Sequence, residues 1–251
     1  MADYAFLHGG GQGGWVWEET IDALYRQTGG TFGRALALDV PGCGAKRGRS
    51  TDSLTLEDVA RELVSDIEQE GLKDVVLVGH SQAGQALPSM LRSRPSLFRR
   101  AVYVSCTILP PGQTTLQVMG NGPHGSNENE VGWPFDPGAV TEMNDRYALM
   151  FCNDMSAEQT SAFLAKLGKD MWPMQTYAET RWSYDRLEQT PATFVICLQD
   201  AILTVPWQEK FAERVKADRR VHIDAGHQVM NTRPHALAEV LRHEASLVET
   251  K

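Results

Sequence analysis

Ser81 lies at the end of Asp74-Val75-Val76-Leu77-Val78-Gly79-His80-Ser81-Gln82-Ala83-Gly84, an apolar run followed at once by small residues and a helical pattern. A serine between a buried strand and a helix has the setting of a nucleophile elbow. The sharp turn lifts its hydroxyl above the sheet and requires small neighbours. The run departs from G-x-S-x-G at one position, Ala83, which is the smallest departure a side chain allows. The bland alternative, a serine that merely caps a helix, does not account for the strand before it.

A serine hydroxyl attacks a carbonyl only when a base takes its proton, and the base needs a third group to fix its tautomer. On a sheet of this kind the chain order is nucleophile, acid, base. The histidines after Ser81 are His124, His222, His227, His235 and His243. His222 falls inside a strand pattern, His235 and His243 in the last helix, and His124 in a loop-rich segment. Only His227 follows a strand through a glycine-containing loop, Ala225-Gly226-His227, and it is the expected base. Thr193–Asp200 ends a further apolar strand, making Asp200 the expected acid. Asp224 is a competitor, but it lies within the strand and too near His227 in sequence to approach the ring from the far side.

Negative charge that builds on the carbonyl oxygen needs backbone donors. The N–H of Gln82, at the start of the helix after Ser81, is one candidate. The N–H of Gly10, in His8-Gly9-Gly10-Gly11-Gln12-Gly13-Gly14, is the other, because glycines let the main chain approach a substrate closely. The same run also matches G-x-G-x-x-G through Gly9, Gly11 and Gly14. With Asp39 at the end of the next strand, it leaves a dinucleotide-binding alternative to be weighed.

The elements that must hold these residues read as strand–helix alternation. Strands are expected at Tyr4–His8, Arg34–Val40, Asp74–Gly79, Ala101–Cys106, Thr193–Leu198 and Val221–Ala225. Helices are expected at Val16–Gln27, Leu56–Glu70, Gln82–Arg94, Pro206–Ala217 and Pro234–Val248, the second opening on the capping pattern Thr55-Leu56-Glu57-Asp58. Nearly continuous apolar strands are those buried on both faces, so the expected fold class is α/β, a mainly parallel doubly wound sheet. From Thr107 to Glu188 no strand is evident. Gly120–Gly138 is loop-rich, and helical patterns follow at Asn144–Cys152 and Ala157–Lys166. The expected organisation is therefore a core of residues 1–106 and 189–251, interrupted by a mostly helical cap at 107–188.

Twenty-four Lys and Arg against 32 Asp and Glu give a net charge of −8, which argues against nucleic acid and anionic lipid as partners. The short basic cluster Lys46, Arg47, Arg49 reads as a solvated loop. The N-terminus has no basic and apolar leader pattern, and no stretch is apolar enough to span a membrane, so a cytoplasmic protein is expected. Cys43, Cys106, Cys152 and Cys197 have no metal-site spacing, and no metal is expected.

Leu7-His8-Gly9-Gly10-Gly11-Gln12-Gly13-Gly14-Trp15-Val16-Trp17 resembles the opening of the plant methylesterase and hydroxynitrile lyase family. So do Gly79-His80-Ser81, the segment from Asp200 to Val205-Pro206, and Gly226-His227. The resemblance implies an α/β-hydrolase core with a helical cap, no cofactor, and a small-molecule substrate. It also implies that Gly9 and Gln228 stand where the lyase branch carries threonine and lysine. Gln228 cannot stabilise departing cyanide by charge, so the esterase branch is favoured. The expectation is a Ser81–His227–Asp200 serine esterase acting on a small, fairly hydrophobic ester. Lactone, carbamate or amide cleavage and a non-catalytic receptor on the same fold are the alternatives. Trp133, Met150, Trp172 and Trp182 in the cap are candidates for the substrate pocket, or else form the cap's own core. Assembly is left open between monomer and homodimer.

Overall fold

A computed structural model describes residues 1–247. In chain order the elements are β1 (Asp3–Leu7), α1 (Glu18–Thr28), β2 (Ala35–Leu38), α2 (Leu56–Gln69), β3 (Val75–His80), α3 (Leu87–Ser93) and β4 (Phe98–Val104). Four helices follow, α4 (Thr115–Met119), α5 (Met143–Phe151), α6 (Ala157–Lys166) and α7 (Met174–Tyr177). The sheet then resumes with β5 (Ala192–Cys197), α8 (Val205–Arg214), β6 (Arg219–Ile223), α9 (Val229–Thr232) and α10 (Pro234–Ser246). The strands form one parallel sheet in the order β2-β1-β3-β4-β5-β6. β1 and β3 are neighbours at the point where strand order reverses, with Leu7 paired to Gly79. Loops from adjacent strands diverge at such a point and leave a crevice at the carboxyl ends.

β1, β3 and β5 are buried along their whole length, as continuous apolar runs require when helices cover both faces. β2 and β6 are the less buried strands. Exposed Arg219 and Arg220 open the edge strand β6, so hydrophobicity alone puts its start two residues late. β4 begins earlier than expected, because Phe98 already pairs with Val75.

The segment expected as one helix over Gln82–Arg94 is two pieces. Ser81–Gln85 forms a 3₁₀ turn, and α3 begins only at Leu87, with Pro88 in its first turn. Proline lacks the N–H that would carry the ladder back into the preceding turn, so a helix starts there rather than continues. The capping box before α2 is present, Thr55 and Asp58 each accepting the other's backbone N–H. The last helix ends at Ser246, and the final residue of its expected span, Val248, lies outside the described residues. The cluster Lys46, Arg47, Arg49 is not simply solvated. Lys46 pairs with Glu62 and Asp66, Arg49 with Glu62, and Arg47 with the buried Asp170.

Candidate active site

Four strand ends converge. β1 delivers the glycine loop, β3 delivers Ser81, β5 leads to Asp200 and β6 to His227. Ser81 has a φ of 54°, a left-handed backbone that serine adopts at a cost and that a nucleophile elbow imposes. The packing around the turn explains the small residues. A Cβ on Gly84 would lie 2.6 Å from the Thr107 carbonyl oxygen and 2.8 Å from Cys106 Cβ. A Cβ on Gly79 would lie 2.7 Å from Leu87. Close approach therefore falls on Gly79 and Gly84, while position 83 has room for alanine.

His227 is fully buried, and its Nδ1 lies 2.7 Å from Asp200 Oδ2. Asp200 is satisfied on both oxygens. Oδ1 accepts the backbone N–H groups of Ile202 and Leu203 at 2.7 and 2.8 Å, and Oδ2 also accepts the hydroxyl of Ser105. A carboxylate bonded this way is fixed in place. It gives His227 the tautomer that carries its proton on Nδ1. His227 Nε2 is buried and has no hydrogen-bond partner among the described residues, so it is available as an acceptor. Asp224 is exposed and bonds Gln199 instead.

Two neighbouring histidines hold main chain. His80 Nε2 lies 2.9 Å from the His227 carbonyl oxygen, and the two rings are 4.5 Å apart. Burial, then the neighbouring His227 ring, pushes the pKa of His80 well below the ordinary histidine value, so it is a neutral donor. His8 Nε2 accepts the N–H of Val40 at 3.2 Å, which leaves its proton on Nδ1, 2.8 Å from the Gly9 carbonyl oxygen. That carbonyl receives a second donor, the indole N–H of Trp172, at 3.2 Å.

The glycine loop lies directly over the elbow. A Cβ on Gly9 would meet Ser81 Cβ at 3.0 Å, and one on Gly10 would overlap the Gln82 side chain. Asp39 spends its carboxylate on the backbone of its own neighbourhood, accepting from Gly14 and Ala45 at 2.7 and 2.8 Å. The acidic group that a bound ribose would need is therefore engaged, and the dinucleotide alternative loses its support.

Above Ser81 is a cavity of about 250 Å³ floored by Gly10, Ser81 and Gln82 and walled by Trp133, Met150 and Phe151. Two of the four expected pocket residues, Trp133 and Met150, face it. The other two do not. Trp172 is buried against His8 and bonds Gly9, and Trp182 is buried with its indole N–H on the Gln113 carbonyl oxygen. Both are apolar rings whose single donor found a main-chain acceptor away from the cavity. The roles of Ser105 on Asp200 and of His80 on the His227 carbonyl do not follow from local sequence pattern. The signal for Ser105 was its place directly after an apolar strand, and it too has a positive φ, 41°. Among the described residues no group of three or more His, Cys, Asp or Glu side chains could hold a metal ion, and no helix is long and apolar enough to cross a membrane.

Residues 5–240 match the model of the alpha/beta hydrolase family. A carbendazim-hydrolyzing esterase from Nocardioides is 31% identical over 47% of this chain, and the match spans 48% of that protein. Methylesterase 9 of Arabidopsis thaliana is 26% identical, with 96% of this chain and 97% of that protein covered. The crystal structure of the Arabidopsis methylesterase MES16 superposes with a TM-score of 0.75 at 19% identity, covering 99% of this chain and all of that one. The chain thus spans about half the length of the Nocardioides esterase and nearly all of the two plant proteins.

Proposed function

The chain belongs to the alpha/beta hydrolase family, and on that footing we propose that it is a carboxylic ester hydrolase working through Ser81, His227 and Asp200. The observation that carries the reading is the 2.7 Å bond from His227 Nδ1 to an Asp200 carboxylate satisfied on both oxygens, on the same strand ends as a serine at positive φ. His227 Nε2 takes the proton of Ser81 as Oγ attacks the ester carbonyl, and then gives it to the departing alcohol. Water repeats the sequence on the acyl-enzyme, returning the carboxylic acid and free serine.

The oxyanion is received by the N–H groups of Gln82 and Gly10. In a trans peptide the carbonyl and the following N–H point to opposite sides. The two donors on the Gly9 carbonyl, His8 and Trp172, therefore fix the direction of the Gly10 N–H before substrate arrives. Preset donors of this kind give oxyanion sites their value, because no reorganisation is left for the reaction itself. The substrate is a small molecule. The apolar walls and modest volume of the cavity favour a short, uncharged group beside the ester bond. Esters named for the relatives are the first class to try, with lactones, carbamates and amides as comparison arms.

The test is turnover of a p-nitrophenyl ester panel and labelling by a fluorophosphonate, with Ser81→Ala alongside. Loss of labelling and a fall in kcat/KM of at least about a thousandfold are expected in the variant. Turnover that persists in Ser81→Ala would remove the nucleophile assignment.

A further inference from the structure

Beside the cavity over Ser81 lies a second one of about 340 Å³, and the two share Leu116, Trp133, Tyr147 and Met150 as a common wall. Ligand sites for drug-sized molecules occupy roughly 300–1,000 Å³. The inner chamber alone falls short of that range and the pair together lies within it. The outer chamber is built on one face of α5. Met143, Arg146, Tyr147 and Met150 are spaced at i, i+3, i+4 and i+7, the spacing that stacks side chains on one side of a helix. Trp133 and Phe135, with rings 6.3 Å apart and nearly parallel, face them.

The one charged side chain lining this chamber is Arg146. Its guanidinium is clamped by two main-chain carbonyls, Nε to Val140 at 2.7 Å and Nη2 to Pro137 at 2.8 Å, and lies 5.7 Å from the centre of the Phe135 ring. It has no carboxylate partner among the described residues, although the chain carries a net charge of −8. A half-buried cation, rigidly held, stacked on an aromatic ring and lacking a counter-ion, is a prepared receptor for a planar anion. Resting on the hydrolase reading above, we propose that the outer chamber is a subsite for the far end of the substrate. Its ligand is a flat aromatic group bearing a carboxylate that pairs with Arg146. The substrate is then an elongated aromatic ester, with its scissile bond in the inner chamber and its acid group in the outer one.

Calorimetric titration of the Ser81→Ala protein, which binds without turnover, tests the subsite. The probes are biphenyl-4-carboxylate and its neutral counterpart biphenyl-4-methanol. At least a tenfold preference for the carboxylate is expected, weakening as salt is raised. Arg146→Gln should bring the ratio of the two affinities to about one, and Arg146→Lys should restore part of it. Because the ratio is read within each variant, a general loosening of the cap moves both affinities and leaves the comparison intact. Equal binding of the two probes overturns the proposal. So does a preference that survives Arg146→Gln, since the carboxylate would then sit at the oxyanion donors instead. Saturating biphenyl-4-carboxylate should also slow fluorophosphonate labelling of Ser81 in the natural sequence, and unchanged labelling would show that the chambers are not joined. A protein that is never labelled contradicts the hydrolase reading, and the titration then still judges the subsite separately.

Discussion

The Gly9 carbonyl is where one hydrogen bond from the segment between β4 and β5 reaches the candidate chemistry. Trp172→Phe keeps the ring in its buried place and deletes the indole donor, leaving His8 alone to hold the peptide. Removing an oxyanion donor outright costs on the order of 10²–10³ in kcat. A donor that is kept but less well aimed should cost about tenfold, with KM nearly unchanged. Steady-state kinetics on a p-nitrophenyl ester measure this split, and a rise in KM with kcat intact would refute the positioning role. The histidines around the site carry a second expectation. Burial pushes the pKa of both His8 and His80 below the ordinary value of 6.5, so the unfolded chain binds more protons than the native one below that pH. Their stabilisation is full above about pH 6.5 and is lost as pH falls toward their folded values, by up to roughly 1.4 kcal/mol per pH unit for each ring. Glu179, held at about 2 chiefly by its hydrogen bond to Arg181, acts in a lower window. Urea denaturation at pH 6.5 and at about pH 5 should therefore differ, and a flat profile would mean that these rings do not stay neutral.

Among the elements, the strand–turn–helix unit around Ser81 is the most tightly determined. Gly84→Ala would drive a Cβ into the Thr107 carbonyl and Cys106 Cβ, neither of which can swing aside. A loss of about 1–3 kcal/mol is expected from such overpacking, read as a lowered denaturation midpoint. This unit was legible in the sequence because its signals are local: a continuous apolar strand, a serine and small neighbours. His227 and Asp200 were legible for a similar reason, since each follows a strand and only one histidine does so through a glycine loop. What local pattern could not supply was the partner of a lone donor. Composition leaves Trp172 and Trp182 open between pocket lining and core, and tertiary main-chain acceptors hold both in the core. Edge strand β6 and the broken start of α3 went partly unread because exposed arginines mask a strand and because an apolar run does not register the restart at Pro88. The short helix α4 did have a signal in Thr114 and Gln117, which form a capping box.

At the scale of the whole molecule, the segment between β4 and β5 fastens the strand-end loops as well as roofing them. His124 lies 2.8 Å from the Ala201 carbonyl oxygen, next to Asp200. Asn153 donates to the Gln199 carbonyl at 2.7 Å, and Asp154 accepts the N–H of Gly226 at 2.8 Å, beside His227. With Trp172 on Gly9, side chains from this segment reach the main chain of three separate loops. Asp154→Ala would leave the Gly226 N–H without its acceptor, a loss of about 1–3 kcal/mol if that group stays buried. The expected result is a fall in kcat out of proportion to any change in the urea midpoint, since the loop that moves carries His227. Full activity in the variant would mean that the loop holds its shape unaided.

The left-handed turn at Ser81 also bears on how such a chain ages over generations. A copy with no chemistry left to perform would be sturdier with glycine at that position, which accepts the same backbone without strain. Under the proposed function, readiness to react and resistance to heat pull against each other at one residue, and a lineage released from turnover would have an incentive to let its serine go.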